Sequence, residues 1–354
     1  AAGELKTKPT QHSVKTMLEQ GVQPDIIVCR TEHHLTEGIK RKIAQFCNVA
    51  ATSVIESIDA ETIYDVPLLM REEKLDIEIL KKTNTPIPEK LDIRNWERFV
   101  HRLKNPVGTV KIGLIGKYVE LKDAYKSINE ALVHGGTENE YKVEIISIQS
   151  EKIDSSNVDS KLHGLNGILV APGFGGRGIE GKIKAITYAR ENNIPFLGIC
   201  LGMQCAAIEF SRNVLGLKDA HTTEINKDTP DPVINLMEEQ RKVTNLGGSM
   251  RLGLYDCRIN KDTLTFKEYN KQDIKERHRH RYEFNDNYRA RFIENGMKIA
   301  GINPSKELVE IIELQDHPWF IGVQFHPEYK STVKEPHPLF IGFVKAAILK
   351  KESK

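Results

Sequence analysis

The sequence lacks any long apolar run. Nothing in it approaches the roughly 18–20 apolar residues a membrane helix needs, and "AAGELKTKPT" at the start is polar and basic without the apolar centre of a secretory signal. It also lacks an excess of one charge. With 51 Lys and Arg against 49 Asp and Glu, the formal net charge is +2, which leaves no overall footprint for nucleic acid; a basic patch would have to be local. Cysteine is sparse. Five residues (Cys29, Cys47, Cys200, Cys205, Cys257) form no C-x-x-C pair and are odd in number, which points to a reducing, cytoplasmic setting and away from a metal cluster. There is no internal repeat, no low-complexity tract and no G-x-x-x-x-G-K-[ST] phosphate loop. The first residue is not Met, so the expectation is a piece of something longer.

What is present reads as a soluble globular chain, 39% hydrophobic and 28% charged, whose 354 residues suggest two domains. "VQPDIIVCR" reads as a turn and a strand, with "IIVC" apolar enough to be buried on both faces. Ile39, Ile43 and Phe46 follow at helical spacing, and "AATSVIES" gives another strand. Residues 61–82 are mainly helical, and a linker falls at residues 83–108, where "TNTPIPEKLD" carries two prolines and a short helix ends at Pro106. From residue 109 strands and helices alternate: "TVKIGLIGKY", a helix "DAYKSINEALVHGG" closed by its glycine pair, "YKVEIISIQS", "LNGILVAPGFGGRG", a helix, then "IPFLGIC" and its helix. This is the pattern of a doubly wound, mostly parallel α/β sheet. A strand-rich segment and the helix "PLFIGFVKAAILKK" complete the chain.

Cys200 stands between two glycines in "GICLG", at a strand-to-helix turn. Flanking glycines permit a tight strained turn that presents a nucleophile at the carboxyl edge of a sheet. The helix N-terminus behind it favours a thiolate and aims free N–H groups at an oxyanion. The alternative is a buried thiol in an ordinary turn. Cys205 sits five residues on, on an apolar helix face, and reads as core, as do Cys29 and Cys47. A nucleophilic cysteine needs a base with an orienting group. "WFIGVQFHPEYKS" offers His326 and Glu328 two residues apart, on one side of an extended backbone that Pro327 stiffens. The loop "APGFGGRG" matches no phosphate-binding spacing; it serves either as an oxyanion loop, with the Gly173 N–H opposed to that of Leu201, or as a flexible turn. "ERHRHRYE" on a strand aligns Arg277, Arg279 and Arg281 on one face and His278, His280 and Tyr282 on the other.

Together "GICLGMQ", "FHPE" and the glycine loop resemble the class I glutamine amidotransferase family. The resemblance implies a Cys200–His326–Glu328 triad that hydrolyses glutamine through a glutamyl thioester and releases ammonia, without a cofactor for that step. It implies an oxyanion hole at Gly173 and Leu201. Glutamine-binding positions are Gly173, Leu201, Gly202, Met203, Gln204, Glu224 and Arg281, with Arg279 as the fallback for Arg281. An acid and a base suit the α-amino and α-carboxylate groups of free glutamine.

Beyond that domain, "GELKTKPTQHSVK", "KIAQFCNV", "GGSMRLG", "ERHRHRYEFN" and "HPLFIGFVKAA" resemble the CTP synthase family over almost the whole chain. The resemblance implies residues 1–82 as the C-terminal portion of a synthetase domain of P-loop type and residues 109–354 as the glutaminase domain. It implies a ligase of pyrimidine biosynthesis that aminates UTP to CTP, and UTP or CTP contacts at Lys6, Thr7, Lys8, Pro9, Thr10, Gln11 and Lys42. A Lys-rich loop suits triphosphate charge in any case. ATP and Mg²⁺ would bind upstream, with no metal site in this chain. GTP as activator, CTP as feedback inhibitor and a homotetramer are also implied, with no nucleic acid or membrane partner. Where the family usually has P-G-G-F-G, this chain has Ala171-Pro172-Gly173-Phe174-Gly175, so a proline without an N–H precedes the oxyanion glycine. A stand-alone γ-glutamyl hydrolase or thiol peptidase is the alternative enzyme, and a regulatory module with a decayed site the non-enzymatic one.

Overall fold

Two compact units make up the chain, Ala1–His101 and Arg102–Lys354. The computed structural model describes residues 5–89, 91–121, 123–236 and 250–353; the polar opening, residues 1–4, lies outside it.

In the first unit α1 (Lys8–Glu19), β1 (Ile27–Thr31), α2 (Glu37–Cys47) and β2 (Val54–Ile58) precede α3 (Val66–Glu72) and α4 (Leu75–Lys82), and α5 (Arg94–Lys104) runs past the boundary. β1 and β2 pair in parallel. Thr36 caps α2 by accepting the Ile39 N–H, and Asn48 ends it in the left-handed conformation. Val14, Ile27, Cys29, Ile43, Ala44, Cys47 and Val54 form the core. Three expectations are corrected here. β1 is buried on one face only, with Val28 50% exposed, because the core meets alternate residues. Phe46 is 63% exposed, since Ile43 and Cys47, one turn apart, take the inward face of α2. "KTKPTQ" is mostly helix: Lys8 opens α1 and Pro9 occupies its first turn, where a missing N–H costs nothing.

Among the described residues the second unit is built on a nine-stranded sheet. Its strands and helices are β3 (Gly108–Gly116), α6 (Lys126–Glu138), β4 (Tyr141–Gln149), α7 (Val158–Leu162), β5 (Gly167–Val170), α8 (Ile179–Glu191), β6 (Phe196–Ile199) and α9 (Leu201–Asn213). There follow β7 (His221–Thr222), β8 (Pro232–Asn235), β9 (Arg251–Ile259), α10 (Leu264–Tyr269), β10 (Asp273–His280), β11 (Glu283–Phe284), α11 (Arg289–Glu294), β12 (Met297–Ile302), β13 (Val309–Leu314), β14 (Phe320–Val323) and α12 (Pro338–Glu352). The sheet order is β10-β9-β12-β13-β14-β6-β5-β3-β4. Pairing is parallel from β4 across to β14 and antiparallel from β14 out to β10. Strands β5, β6 and β14 are buried on both faces, as their short apolar runs require. One core holds Ile115, Phe196 and Phe210 with α8 and α9; the opposite face holds Leu114, Leu197 and Phe343 with α6 and α12.

The glycine pair of α6 does not close the helix, which continues to Glu138. Gly135 and Gly136 serve close packing instead. A Cβ on Gly135 would fall 2.6 Å from the Phe340 carbonyl oxygen, and one on Gly136 2.7 Å from Val143. The strand read in "ERHRHRYEFN" also divides. β10 ends at His280, and Glu283–Phe284 pairs with β8 in a separate three-stranded sheet.

Candidate active site

Four carboxyl ends of parallel strands meet on one edge of the sheet: β3 delivers Lys117, β5 the loop Ala171–Gly178, β6 Cys200, and β14 the segment Gln324–Glu328. Chain order reverses about β3, with β4 on one side and β5 on the other. Such a switch point opens a crevice outside the strand ends. The crevice is a cavity of about 330 Å³ whose lining includes Gly173, Phe174, Cys200, Arg279, His326 and Glu328.

Cys200 carries the strain of its turn itself, at φ 52° and ψ −103°. The flanking glycines are not in left-handed conformations; they are small because β6 and α9 approach closely. A Cβ on Gly198 would lie 2.8 Å from the Gly202 carbonyl carbon, and one on Gly202 would lie 2.3 Å from the Val170 oxygen. The Cys200 N–H donates to the Val323 carbonyl at 2.7 Å, which ties the Cys200 backbone to β14. Its sulfur lies 3.9 Å from the Arg279 carbonyl and 3.8 Å from Gln324 Nε2.

His326 Nδ1 and Glu328 Oε1 are 2.8 Å apart, and both residues are buried. The i, i+2 contact comes from a turn rather than from the extended backbone expected, because residues Pro327–Tyr329 form a 3-10 turn. The His326 N–H is held by the Arg277 carbonyl at 2.8 Å, and the Tyr329 ring stacks on the imidazole at 5.1 Å and 12°. Burial works against a charged imidazole here. The Cys200 thiolate and its hydrogen bond, together with Glu328, outweigh it and push His326 up to about 10. Glu328, at Nδ1, thus steadies a charged imidazole.

The glycine loop is held rather than flexible. Lys117 Nζ donates to the carbonyls of Phe174 and, at 2.8 Å, Gly175. Lys182 Nζ donates to the Ala171 carbonyl at 2.6 Å. Glu224 accepts the Gly175 N–H at 2.8 Å. Gly175 and Gly178 supply the left-handed turns, at φ 72° and 74°. Lys182 is wholly buried, and burial brings it down to about 8. Gly173 faces Leu201: a Cβ there would be 3.5 Å from Leu201 Cδ2.

The remaining expected residues gather around Tyr282. Gln204 Nε2 donates to the Tyr282 carbonyl at 3.0 Å. Burial pushes the Tyr282 phenol up, Glu224 adds to that and Arg281 opposes it, so the three side chains share one neighbourhood. Leu201, Gly202 and Met203 are buried in the first turn of α9, and the Met203 side chain packs towards Gly322 of β14. Arg279, not Arg281, lines the cavity, with its guanidinium 5.5 Å over the Phe174 ring. In the first unit Lys6, Lys8, Pro9 and Lys42 are exposed and Thr7 is buried, its Oγ1 accepting from Gln11 Nε2 at 3.1 Å; Thr10 is half-buried in the first turn of α1. Sequence reasoning missed Lys117, Lys182 and Gln324. Lys117 and Gln324 lie just past strand ends already read from apolar runs, which was the available signal. Lys182 had none, since a lysine in a helix reads as surface. Among the described residues no group of three or more His, Cys, Asp or Glu side chains could hold a metal ion, and no helix is long and apolar enough to cross a membrane.

The profile of the family described as glutamine amidotransferase class-I matches residues 120–346, and that of the CTP synthase N-terminus matches residues 1–85. The chain belongs to the class I glutamine amidotransferases. Within that class it is similar to CTP synthases: that of Flavobacterium johnsoniae is 59% identical over 348 residues, 98% of this chain and 65% of the relative. The CTP synthase of Ruminiclostridium cellulolyticum is 56% identical over 346 residues, 98% of this chain and 64% of the relative. The chain thus spans about 65% of the length of the curated relatives it matches. Among solved structures, the glutaminase domain of Trypanosoma brucei CTPS with bound acivicin is 38% identical at a TM-score of 0.63, covering 68% of this chain and 94% of that one.

Proposed function

We propose that Arg102–Lys354 hydrolyses glutamine, and that in the complete enzyme the ammonia released aminates UTP to CTP. The observation that carries this is the Cys200 sulfur beside a buried His326 whose Nδ1 is 2.8 Å from Glu328. The Cys200 thiolate attacks the side-chain carbonyl carbon of glutamine, and the oxyanion forms against the backbone N–H groups of Gly173 and Leu201. The His326 imidazolium gives its proton to the leaving nitrogen, so ammonia departs and a γ-glutamyl thioester remains on Cys200. A water then loses a proton to His326 and attacks the thioester, which frees glutamate. Gly202, Met203 and Gln204 shape the glutamine pocket from the start of α9. Glu224 faces the α-amino group and Arg281, which shares its neighbourhood, the α-carboxylate, with Arg279 at the cavity wall as the fallback cation.

Lys6–Gln11 and Lys42 bind the triphosphate of UTP or CTP, where the lysines and the N-terminus of α1 favour phosphate charge. ATP with Mg²⁺, bound upstream of these residues, would activate UTP. GTP activation, CTP feedback, a homotetramer and a cytoplasmic location belong to the same reading. The match of residues 1–85 to the CTP synthase N-terminus favours it over a stand-alone γ-glutamyl hydrolase, which has no use for that segment.

Glutamate release from glutamine by this chain and its Cys200→Ala variant tests the first half. A longer chain carrying the upstream region, given UTP, ATP and Mg²⁺, tests the second. Glutamine hydrolysis without CTP formation in the longer chain would sink the synthase reading.

A further inference from the structure

Gln324 is wholly buried just beyond β14, one residue past the Val323 carbonyl that holds the Cys200 N–H. Its own N–H donates to the Glu310 carbonyl at 2.8 Å, so its backbone is fixed from the antiparallel side of the sheet. The side chain reaches the nucleophile with Nε2 3.8 Å from Sγ. A carboxamide has two unlike ends. Its oxygen would repel a thiolate, whereas its N–H would stabilise one.

Which end faces the sulfur is settled by what lies behind it. The Tyr282 backbone carbonyl can only accept, so the atom of Gln204 3.0 Å from it is the amide nitrogen. That same nitrogen is 3.2 Å from the Gln324 side-chain oxygen and supplies it with a donor. With its oxygen engaged there, Gln324 turns its N–H to Cys200. Flipping both amides would set the Gln204 oxygen against the Tyr282 carbonyl, two acceptors face to face in a buried site. The order of donation therefore runs one way: Gln204 to Tyr282, Gln204 to Gln324, Gln324 to sulfur. The Arg279 carbonyl, 3.9 Å from Sγ, is an acceptor suited to the S–H of the neutral thiol. The sulfur thus has a different partner in each protonation state.

We propose that Gln324 is a further catalytic residue: its side-chain amide, oriented by Gln204 and the Tyr282 carbonyl, donates a hydrogen bond that holds Cys200 as the reactive thiolate. This deepens the glutamine-hydrolysing reading of Cys200 and rests on it. Gln204 acquires a positioning role beside the substrate contact assigned above.

The test is the iodoacetamide alkylation rate of Cys200 in the full chain across pH 5 to 9, read on the Cys200 peptide by mass spectrometry, beside steady-state glutamate release. Loss of a hydrogen bond to a charged group should move the midpoint of the alkylation profile up by about one unit in Gln324→Leu, with a roughly tenfold slower rate below the midpoint. Gln324→Glu, which sets a carboxylate beside the sulfur, should move it further. In Gln324→Leu the turnover number should fall by more than KM for glutamine rises, because the N–H lost is the one that faces the sulfur. Gln204→Leu, which releases the Gln324 amide to flip, should give a smaller shift in the same direction and decides the matter if the Gln324 variants do not fold. An unchanged midpoint in folded Gln324→Leu and Gln204→Leu, with Cys200-dependent glutaminase intact, overturns this inference alone. Glutamate release that survives Cys200→Ala overturns the functional reading, whatever the alkylation profile does.

Discussion

Gly202 lies against Val170 so closely that a Cβ on it would stand 2.3 Å from the Val170 carbonyl oxygen. The obstacle is backbone, which no side-chain rotation relieves. Gly202→Ala should therefore push α9 away from β5 and cost about 1–3 kcal/mol, a drop of about 2–12 °C in melting temperature for a unit of this size. Calorimetry on the variant checks this. A melting point equal to wild type would mean the helix rides freely on the sheet.

Cys200 at φ 52° and ψ −103° predicts an ordering of stability among variants that lack its sulfur. Cys200→Ala keeps the strained backbone, whereas Cys200→Gly relieves it. The glycine variant should be the more stable by about 1–2 kcal/mol and melt about 2–8 °C higher. Parallel thermal melts of the two give the comparison.

The elevated His326 depends on the thiolate beside it, with Glu328 adding to the effect and burial opposing it. In Cys200→Ser the strongest favourable partner is gone, so the imidazole should titrate well below the value of about 10 it has in the wild type. Histidine NMR titration reads the change directly. Because the folded value exceeds the ordinary 6.5, the stability this group contributes is fully present below 6.5 and is lost as pH rises through about 10. A fold that gains stability over that interval in wild type relative to Cys200→Ser contradicts the assignment.

Glu328→Gln keeps a hydrogen-bonding group at Nδ1 but removes the charge that steadies the imidazolium. We expect glutamate release to fall by about 10²-fold or more with KM little changed. Steady-state kinetics at fixed pH suffice.

Lys182 is wholly buried and is lowered from 10.5 to about 8. Between these values the unfolded chain binds the extra proton, so this lysine's contribution to stability grows as pH rises from about 8 to 10.5. Lys182→Met removes that slope. The stability of wild type relative to the variant should thus improve by about 3 kcal/mol over the interval. Chemical denaturation at the two ends measures it. At neutral pH the same variant leaves the Ala171 carbonyl without its donor, so glutaminase activity should drop as the loop loosens.

Much of the candidate site is legible in the sequence, because its parts follow short apolar runs that read as buried strands. Cys200 and the pair His326 and Glu328 stand where such runs end. Three details were not legible, each for a physical reason. Gly135 and Gly136 read as a helix terminator, since the demand for small residues came from Phe340 and Val143, distant in sequence. The sequence places the strain of the turn on the glycines beside Cys200, because close approach and backbone freedom leave the same residue in the sequence. Lys182 gives no signal at all, because a lysine in a helix reads as surface and only the Ala171 carbonyl explains its burial, whereas Lys117 is marked only by its place at a strand end, and its role shows in the carbonyls of Phe174 and Gly175.

Cys200 and His326 are 126 positions apart (326 minus 200), yet their separation is set by one parallel pairing, in which Val323 stands opposite Ile199 and Phe320 opposite Phe196. A slip of one residue along that pairing would invert every side chain of β14 and carry Phe325 to the place of His326. No amino acid would have changed, and the chemistry would be gone. On the proposed function, glutamine turnover is also a readout of strand register, able to report misfolded molecules that secondary-structure spectra would count as native.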